Sequence, residues 1–348
     1  MRIALVPLDE RPVNVDLPRQ VAAIAGAELL LPPAEAMPVF RRPADVAALH
    51  GWLRELVAAG GTSRLVACVD TLVHGGIIPA RITSDSTTTA LERLDLLREL
   101  KAASPELRIT AASLIMRASD SYSPVEEPEY WSSYGRELHA LGGALHRAFE
   151  TDVREGEAAA RPPATEVPAE VRSDFERRRL RNHTVNLAAL ALHEEGTVET
   201  LTLTADDTAP YSAGSAEQVW LRHWARALPR GGEVLMYPGA DEVGAVLVAR
   251  ALAAGVGVPV WRIDCGEPDG LDRVPNFENA PLRDSLRRQI VASGGRVAGP
   301  GETAELVVVA HAPDPARGDY FATRPASDPA ATEATVSAVR AALAEGAI

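Results

Sequence analysis

Two stretches of this sequence decide the fold: LTLTADDTAP at residues 201–210 and EVLMYPGADEVG at residues 233–244. Each begins with an apolar run typical of a buried strand, continues into a pair of acids and then leads into a helical pattern. Because parallel strands deliver the residues that follow them to one edge of a sheet, we expect both pairs to lie there and to raise one another's pKa. The pairs are Asp206 with Asp207 and Asp241 with Glu242.

Eight apolar runs of strand length alternate with amphipathic helical stretches along the whole chain. The predicted strands cover residues 3–7, 28–31, 65–69, 108–115, 200–204, 234–237, 259–263 and 306–310. Such alternation indicates an α/β fold in which parallel strands are covered by helices. A (β/α)8-like barrel is the first prediction for its closure, and a doubly wound open parallel sheet in two halves is the alternative.

The predicted strands and helices suggest one large domain with two irregular additions. We predict an α/β domain of the catalytic type over residues 1–312. A stretch rich in Ala, Pro and Glu at about 152–168 reads as an inserted loop. Residues 313–348 form the predicted C-terminal extension, which ends in a helix.

Composition and charge exclude several classes of function. The 348 residues are 46% hydrophobic and 24% charged, and the formal net charge is −13. So acidic a chain is poorly suited to nucleic acid, because backbone phosphates require basic patches. No signal peptide and no apolar run of membrane-spanning length are found, so we expect a cytoplasmic protein that does not bind membranes. Cys68 and Cys265 are expected to be free thiols.

Polar and ionisable residues follow nearly every predicted strand, at the end where ligands bind in both candidate folds. Beside the two acidic pairs, which we predict to be catalytic, these residues are expected to bind substrate. They are Asp9, Arg11, Asn14, Asp70, His74, Gly75, Gly76, Arg117 and Tyr211. The arginines either neutralise the acids or anchor an anionic or hydroxylated ligand, and the sequence leaves both readings open.

The motifs of several common enzyme classes are missing from the sequence. No glycine-rich dinucleotide fingerprint, phosphate-binding loop or nucleophile elbow follows a predicted strand. No cluster of Cys and His has the spacing of zinc ligands. No cofactor is therefore firmly implied, although the carboxylates leave open a site for Mg²⁺ or Mn²⁺, which take oxygen ligands.

Six motifs in the same order carry a family resemblance. They are VPLDERPVN, VDTLVHGGIIPAR, SLIMRAS, EEPEYWSSYG, ADDTAPYSAGSAEQV and YPGADEVG. Together they resemble the domain-of-unknown-function 4127 family of bacterial proteins over about residues 3 to 312. The resemblance implies that the chain is a C-terminally shortened member, since family members usually continue into a further strand and a Gly-Trp-Asn-Thr motif. It also implies that the strand-end residues belong to a shared ligand site.

Three hypotheses of function follow from this pattern. The first is a glycoside hydrolase of carbohydrate metabolism, in which two carboxylates serve as acid and as base or nucleophile. The adjacent Asp206 and Asp207 resemble the aspartates of barrel-type N-acetylhexosaminidases, where one orients the acetamido group and the next is the acid/base. The second is a hydrolase, lyase or isomerase that uses Mg²⁺ or Mn²⁺ on a hydroxylated metabolite. The third is a non-catalytic protein that binds carbohydrates or metabolites.

Overall fold

The computed structural model describes residues 1–155, 165–315 and 328–346. Nine strands and twelve α-helices are found in these residues. The strands are β1 (Arg2–Val6), β2 (Glu28–Leu30), β3 (Arg64–Cys68), β4 (Arg108–Ile115), β5 (Thr200–Ala205), β6 (Leu235–Pro238), β7 (Val260–Cys265), β8 (Arg296–Val297) and β9 (Leu306–Ala310). The helices are α1 (Pro12–Ile24), α2 (Val46–Ala59), α3 (Val69–His74), α4 (Ile77–Ile82), α5 (Thr87–Leu94), α6 (Leu96–Ala103), α7 (Trp131–Glu155), α8 (Ala169–Glu194), α9 (Ala213–Ala227), α10 (Val243–Ala253), α11 (Leu282–Ala292) and α12 (Pro329–Ala344).

The larger sheet has six strands in the order β2-β1-β3-β4-β5-β6. All five pairings are parallel. In the register, Ala67 of β3 lies between Val6 of β1 and Ala111 of β4. Every strand therefore ends at the same edge of the sheet, and the segments that follow β1, β3, β4, β5 and β6 are brought together there.

A smaller parallel sheet, in the order β8-β7-β9, follows in the chain. Helix α11 contacts both β6 of the larger sheet and β7 of the smaller one. Helix α12 packs on β7 and β9, and its Thr335 Oγ1 lies 2.8 Å from His311 Nδ1. The C-terminal helix thus covers the smaller sheet.

Both faces of the larger sheet are apolar, because alternate residues of its central strands point to opposite sides and both sets are hydrophobic. Ala4 and Val6 of β1 pack with helices such as α2 and α8 on one face. Ile3 and Leu5 of the same strand pack with α10 on the other face. The result is a three-layer arrangement of helices, sheet and helices.

The chain reverses direction across the sheet at β1. Strand β2 pairs on one side of β1 and β3 pairs on the other. The connection through α1 and the later helix α10 pack together on one face, whereas α2 belongs to the opposite face. Connections that diverge in this way leave a crevice outside the carboxyl ends of the two strands, which is where open α/β sheets bind ligands.

Local sequence signals explain where several helices begin. Pro12 occupies the first turn of α1, where its missing N–H costs nothing. The side chains of Asp45, Ser86 and Ser212 accept hydrogen bonds from backbone N–H groups at the starts of α2, α5 and α9. These caps fix the points at which the chain leaves each loop.

The structure confirms the predicted α/β class of parallel strands alternating with helices. Closure into a barrel is not confirmed: among the described strands β2 and β6 each have one neighbour, and the two open sheets correspond to the alternative prediction. The physical reason is the reversal at β1, which adds β2 and β3 on opposite sides. The two-residue strand β8 was not predicted. Most of the predicted loop at about 152–168 lies outside the described residues, and the domain boundary at 312 stays a prediction.

The remaining general predictions concern membranes and cysteines. No helix in the described ranges is long and apolar enough to cross a membrane. Cys68 and Cys265 are both free thiols, the first buried and the second partly buried.

The tight turn after α3 gives a test of the packing. Gly75 has φ 84°, and a Cβ there would lie 2.9 Å from both Ala44 N and Pro43 Cβ. Gly26 has φ 64°, and a Cβ added there would have no atom within 4 Å. We expect Gly26→Ala to cost about 1 kcal/mol of unfolding free energy, for the left-handed backbone alone. Gly75→Ala adds a steric clash and should cost on the order of 3 kcal/mol. Equal losses for the two variants in urea unfolding would contradict this packing.

Candidate functional site

A pocket of about 420 Å³ opens at the carboxyl edge of the larger sheet. Its walls are the segments that follow the strands: residues 9–11 after β1, Arg117 after β4, 206–207 after β5 and 239–242 after β6. Residues 276–278, from the connection before α11, close one side. The volume suits a small metabolite, and the position is the crevice expected for this topology.

The pair after β5 is held by two arginines that come from other parts of the chain. Arg81 Nη2 of α4 lies 2.5 Å from Asp206 Oδ2, and Arg117 Nη1 lies 2.5 Å from Asp207 Oδ2. Only 3% of the Arg81 side chain is exposed. A charge so deeply buried must be paired, so Arg81 fixes the position of Asp206.

Two glutamates from the connection after β4 share these same arginines. Glu126 Oε2 lies 3.1 Å from Arg81 Nη1 and 2.8 Å from Arg117 Nη2. Arg117 Nε donates to Glu127 Oε1 at 2.9 Å. Together with the aspartate pair, four carboxylates surround two guanidinium groups.

This excess of negative charge favours protonation of the cluster. Burial raises the pKa of Asp207, the neighbouring charge of Asp206 raises it further, and Arg117 opposes both. Burial likewise raises the pKa of Glu127, against the effect of the two arginines. Asp207, with 36% of its side chain exposed, is the member of the cluster that combines a raised pKa with access to the pocket.

The opposite wall is organised by Arg11. Its guanidinium contacts Asp241 through Nη1 at 2.9 Å and Nη2 at 2.6 Å, and its Nε donates to Asp9 at 2.7 Å. Asn14 Nδ2 of α1 also donates to Asp9, at 2.7 Å. Burial lowers the pKa of Arg11, but the bonds to the two aspartates outweigh it and the net pKa is raised. The bidentate contact fixes the position of the Asp241 carboxylate on this wall.

Glu242 has a different environment although it is the next residue. Its Oε1 accepts a hydrogen bond from the neutral Gln289 Nε2 of α11 at 3.2 Å. Burial raises the pKa of Glu242, and the charges of Asp241 and Glu278 act in the same direction. Gly239 has φ 133°, and a Cβ there would meet Glu242 Oε1 at 2.2 Å. This glycine therefore makes room for the carboxyl group against the backbone of β6.

Backbone strain is concentrated in this pocket. In the described part of the chain, three residues other than glycine have positive φ: Phe40 at 52°, Asp207 at 26° and Phe277 at 61°. All three line the pocket. Such conformations cost of order 1–3 kcal/mol each and persist where the surrounding structure enforces them, often at functional sites.

Both phenylalanines are anchored through their backbones and keep their rings exposed. Phe40 N donates to Glu10 Oε1 at 2.6 Å, and Arg41 beside it donates to the carbonyl groups of Pro124 and Glu127. Phe277 O accepts from Thr208 N at 2.7 Å. About half of each phenylalanine is exposed, 45% and 49%, so the rings border the mouth of the pocket.

The structure places some of the predicted site residues outside the pocket lining. The Asp70 carboxylate accepts from Leu114 N at 2.9 Å, within the strand layer. His74 is 2% exposed, neither ring nitrogen has a partner among the described residues, and burial holds its pKa well below the usual value. Tyr211 packs edge-on against His146 with 5.2 Å between ring centroids. Gly75 forms the turn at the end of α3, and its neighbour Gly76 lines the pocket.

Several residues of the site were missed from the sequence. Arg81 and Glu126 lie within quoted family motifs, but no strand end precedes them directly. Arg81 lies in α4, the second of two short helices after β3. Glu126 lies in the loop between β4 and α7. Phe40 and Phe277 carried no signal, since nothing in the sequence marks a phenylalanine with positive φ. The available signal for Arg81 was its place as the last residue of the VDTLVHGGIIPAR motif.

The structure offers no ready-made metal centre. Within residues 1–155, 165–315 and 328–346, no group of three or more His, Cys, Asp or Glu side chains is arranged to hold a metal ion. The carboxylates of Asp206, Asp207, Asp241 and Glu126 are instead paired with guanidinium groups.

A protein family described as "Protein of unknown function (DUF4127)" matches residues 3–348. The chain belongs to this family, as its six motifs indicated. The match reaches the last residue, and the shortened C-terminus stays a prediction. None of the curated proteins matches the chain.

Buried Asp70 gives a test through pH. Burial raises its pKa from 3.8 to about 7, and the charge of Asp206 adds to the effect of burial. The folded protein therefore keeps a proton on Asp70 that the unfolded chain releases near pH 4. The contribution of Asp70 to the free energy of unfolding is fully present below that pH and is lost as the pH rises toward 7. The loss is about 1.4 kcal/mol for each pH unit in this window.

Asp70→Asn removes this titration and keeps an oxygen that can accept from Leu114 N. We expect urea unfolding at pH 5 and pH 8 to show a smaller loss of stability for the variant than for the wild type. The same loss in both proteins would show that Asp70 is already ionised at pH 5 in the folded state.

Proposed function

We propose that the pocket is the active site of a glycoside hydrolase, with Asp207 as the general acid. The observation that carries this proposal is that the pocket presents carboxyl groups with two different sets of contacts on opposite walls. Asp207 belongs to a cluster with more carboxylates than guanidinium groups, and its pKa is raised. Asp241 on the opposite wall is paired with Arg11 by a bidentate contact. Glycosidases use two carboxyl groups that flank the scissile bond, and the one that acts as general acid has a raised pKa.

In this scheme each acidic pair divides its work. Asp207 donates its proton to the oxygen that leaves the sugar. Burial and the negative charge of Asp206, which Arg81 holds, keep the pKa of Asp207 high. Asp241 acts as base or nucleophile on the other side of the ring. Glu242, whose pKa is raised by burial, contributes a hydrogen bond to a sugar hydroxyl.

The mouth of the pocket supports a carbohydrate as the substrate. Phe40 and Phe277 present rigid apolar surface, whereas the walls present carboxylates and arginines. Sugars combine C–H faces with hydroxyl groups and match such a mixture of surfaces. The strained backbone of both phenylalanines, fixed before any ligand arrives, reduces the entropy that binding would otherwise cost.

A panel of nitrophenyl glycosides that includes N-acetylglucosaminides tests the proposal. We expect turnover of at least one substrate. With the methyl glycoside of the same sugar, whose leaving group needs protonation, Asp207→Asn should lose kcat on the order of 10²–10⁴-fold. Substrates with more acidic leaving groups should be less affected, since they need less protonation. Asp16→Asn, which changes an exposed acid of α1 paired with Arg19, is the matched control and should retain activity.

Two outcomes would overturn the assignment. One is the absence of turnover across the panel, and the other is turnover of the methyl glycoside that Asp207→Asn leaves undiminished. Assays with EDTA and with added Mg²⁺ or Mn²⁺ separate it from the metal-dependent alternative, because a strict requirement for a divalent ion would favour that alternative.

A further inference from the structure

A second concave site lies at the opposite end of the larger sheet. A pocket of about 490 Å³ is lined there by residues at the starts of β3, β4 and β5 and by the last turn of α10. Three arginines and one glutamate provide its charged side chains: Arg64, Arg108, Arg250 and Glu199. These side chains give the site a local excess of positive charge on a chain whose net charge is −13.

The arginines of this second pocket are only partly neutralised by the protein. Arg108 pairs with Glu199, with Arg108 Nε 2.6 Å from Glu199 Oε2. Arg250 Nη1 donates to Val291 O at 3.0 Å, which satisfies a carbonyl group at the end of α11 but cancels no charge. The Arg64 side chain makes no hydrogen bond or ion pair with any residue that the structure describes. Two positive charges therefore remain uncompensated in a cavity.

The position of Arg64 is unfavourable for the protein alone. Arg64 and Arg108 are direct partners in the parallel register of β3 and β4. Like charges that face each other across neighbouring strands destabilise a sheet. Burial lowers the pKa of Arg64, and the charge of Arg108 lowers it further while Glu199 opposes both. An anion placed between the two guanidinium groups would remove this repulsion.

We propose that this pocket, defined by Arg64, Arg108 and Arg250, binds a small anion that carries a phosphate group. Guanidinium groups recognise phosphate through paired N–H donors. Thr110 and Thr200 add hydroxyl groups to the lining. The size of the cavity accommodates a phosphorylated metabolite as well as phosphate itself. The proposal is independent of the reaction at the carboxyl edge, because the two pockets share no residue.

Titration calorimetry with inorganic phosphate and with glucose 6-phosphate, at constant ionic strength, tests this site. We expect binding by the wild type and an affinity at least tenfold weaker in Arg64→Gln. Arg64→Lys keeps the charge without the paired donors and should be intermediate. Arg19→Gln, which removes one exposed positive charge from α1, is the matched control and should bind as the wild type does.

The carboxyl-edge pocket, which contains Arg11, is one competing location for phosphate. Binding that Arg64→Gln leaves unweakened would place the anion in another pocket and overturn the proposal, and its loss in Arg11→Gln would locate it at the carboxyl edge. The absence of binding by both probes to the wild type would overturn it as well. Without phosphate, Arg64→Gln should be at least as stable as the wild type in urea, because it relieves the repulsion with Arg108. A less stable variant would show that Arg64 has a structural role instead.

Discussion

Four carboxylates share the guanidinium groups of Arg81 and Arg117, and the rest of this site depends on that constraint. Arg81 and Arg117 connect the end of β5 with the loop after β4 and with helix α4. Moving one of these side chains away from its partners would leave an uncompensated charge out of water, at a cost of several kcal/mol. The segments at the carboxyl edge are therefore locked to one another by charge, whereas the layers below them are held by apolar packing.

The same constraint explains why strained backbone is tolerated here. Asp207 takes a positive φ while its carboxylate is fixed by Arg117, and the amide of the next residue, Thr208, is fixed by Phe277 O. Each unfavourable torsion is thus attached to a strong polar contact. The exposed phenylalanine rings at the pocket mouth gain a fixed orientation from this arrangement, which a flexible loop could not provide.

The sequence predicted those parts of the molecule that depend on short-range patterns. Apolar runs followed by acids were enough to place Asp206, Asp207, Asp241 and Glu242 at strand ends, because a strand dictates where its next residues emerge. Arg81 was not predicted because it lies in α4, the second of two short helices that follow β3. The order of strands could not be predicted, since the side of β1 on which β2 pairs depends on long-range packing. Asp70 follows a strand as the acids of the pocket do, but its carboxylate accepts a hydrogen bond from Leu114 N inside the protein. The sequence does not distinguish this inward position from a position in the pocket.

Helix α10 gives the two pockets a common mechanical element. Glu242 stands at its first turn beside the carboxyl-edge pocket, and Arg250 stands in its last turn at the arginine pocket. Its eleven residues span about 16 Å, at 1.5 Å per residue. The helix packs against α1 and the larger sheet between these two ends. Any displacement of α10 along its own axis would therefore change the shape of both pockets at once.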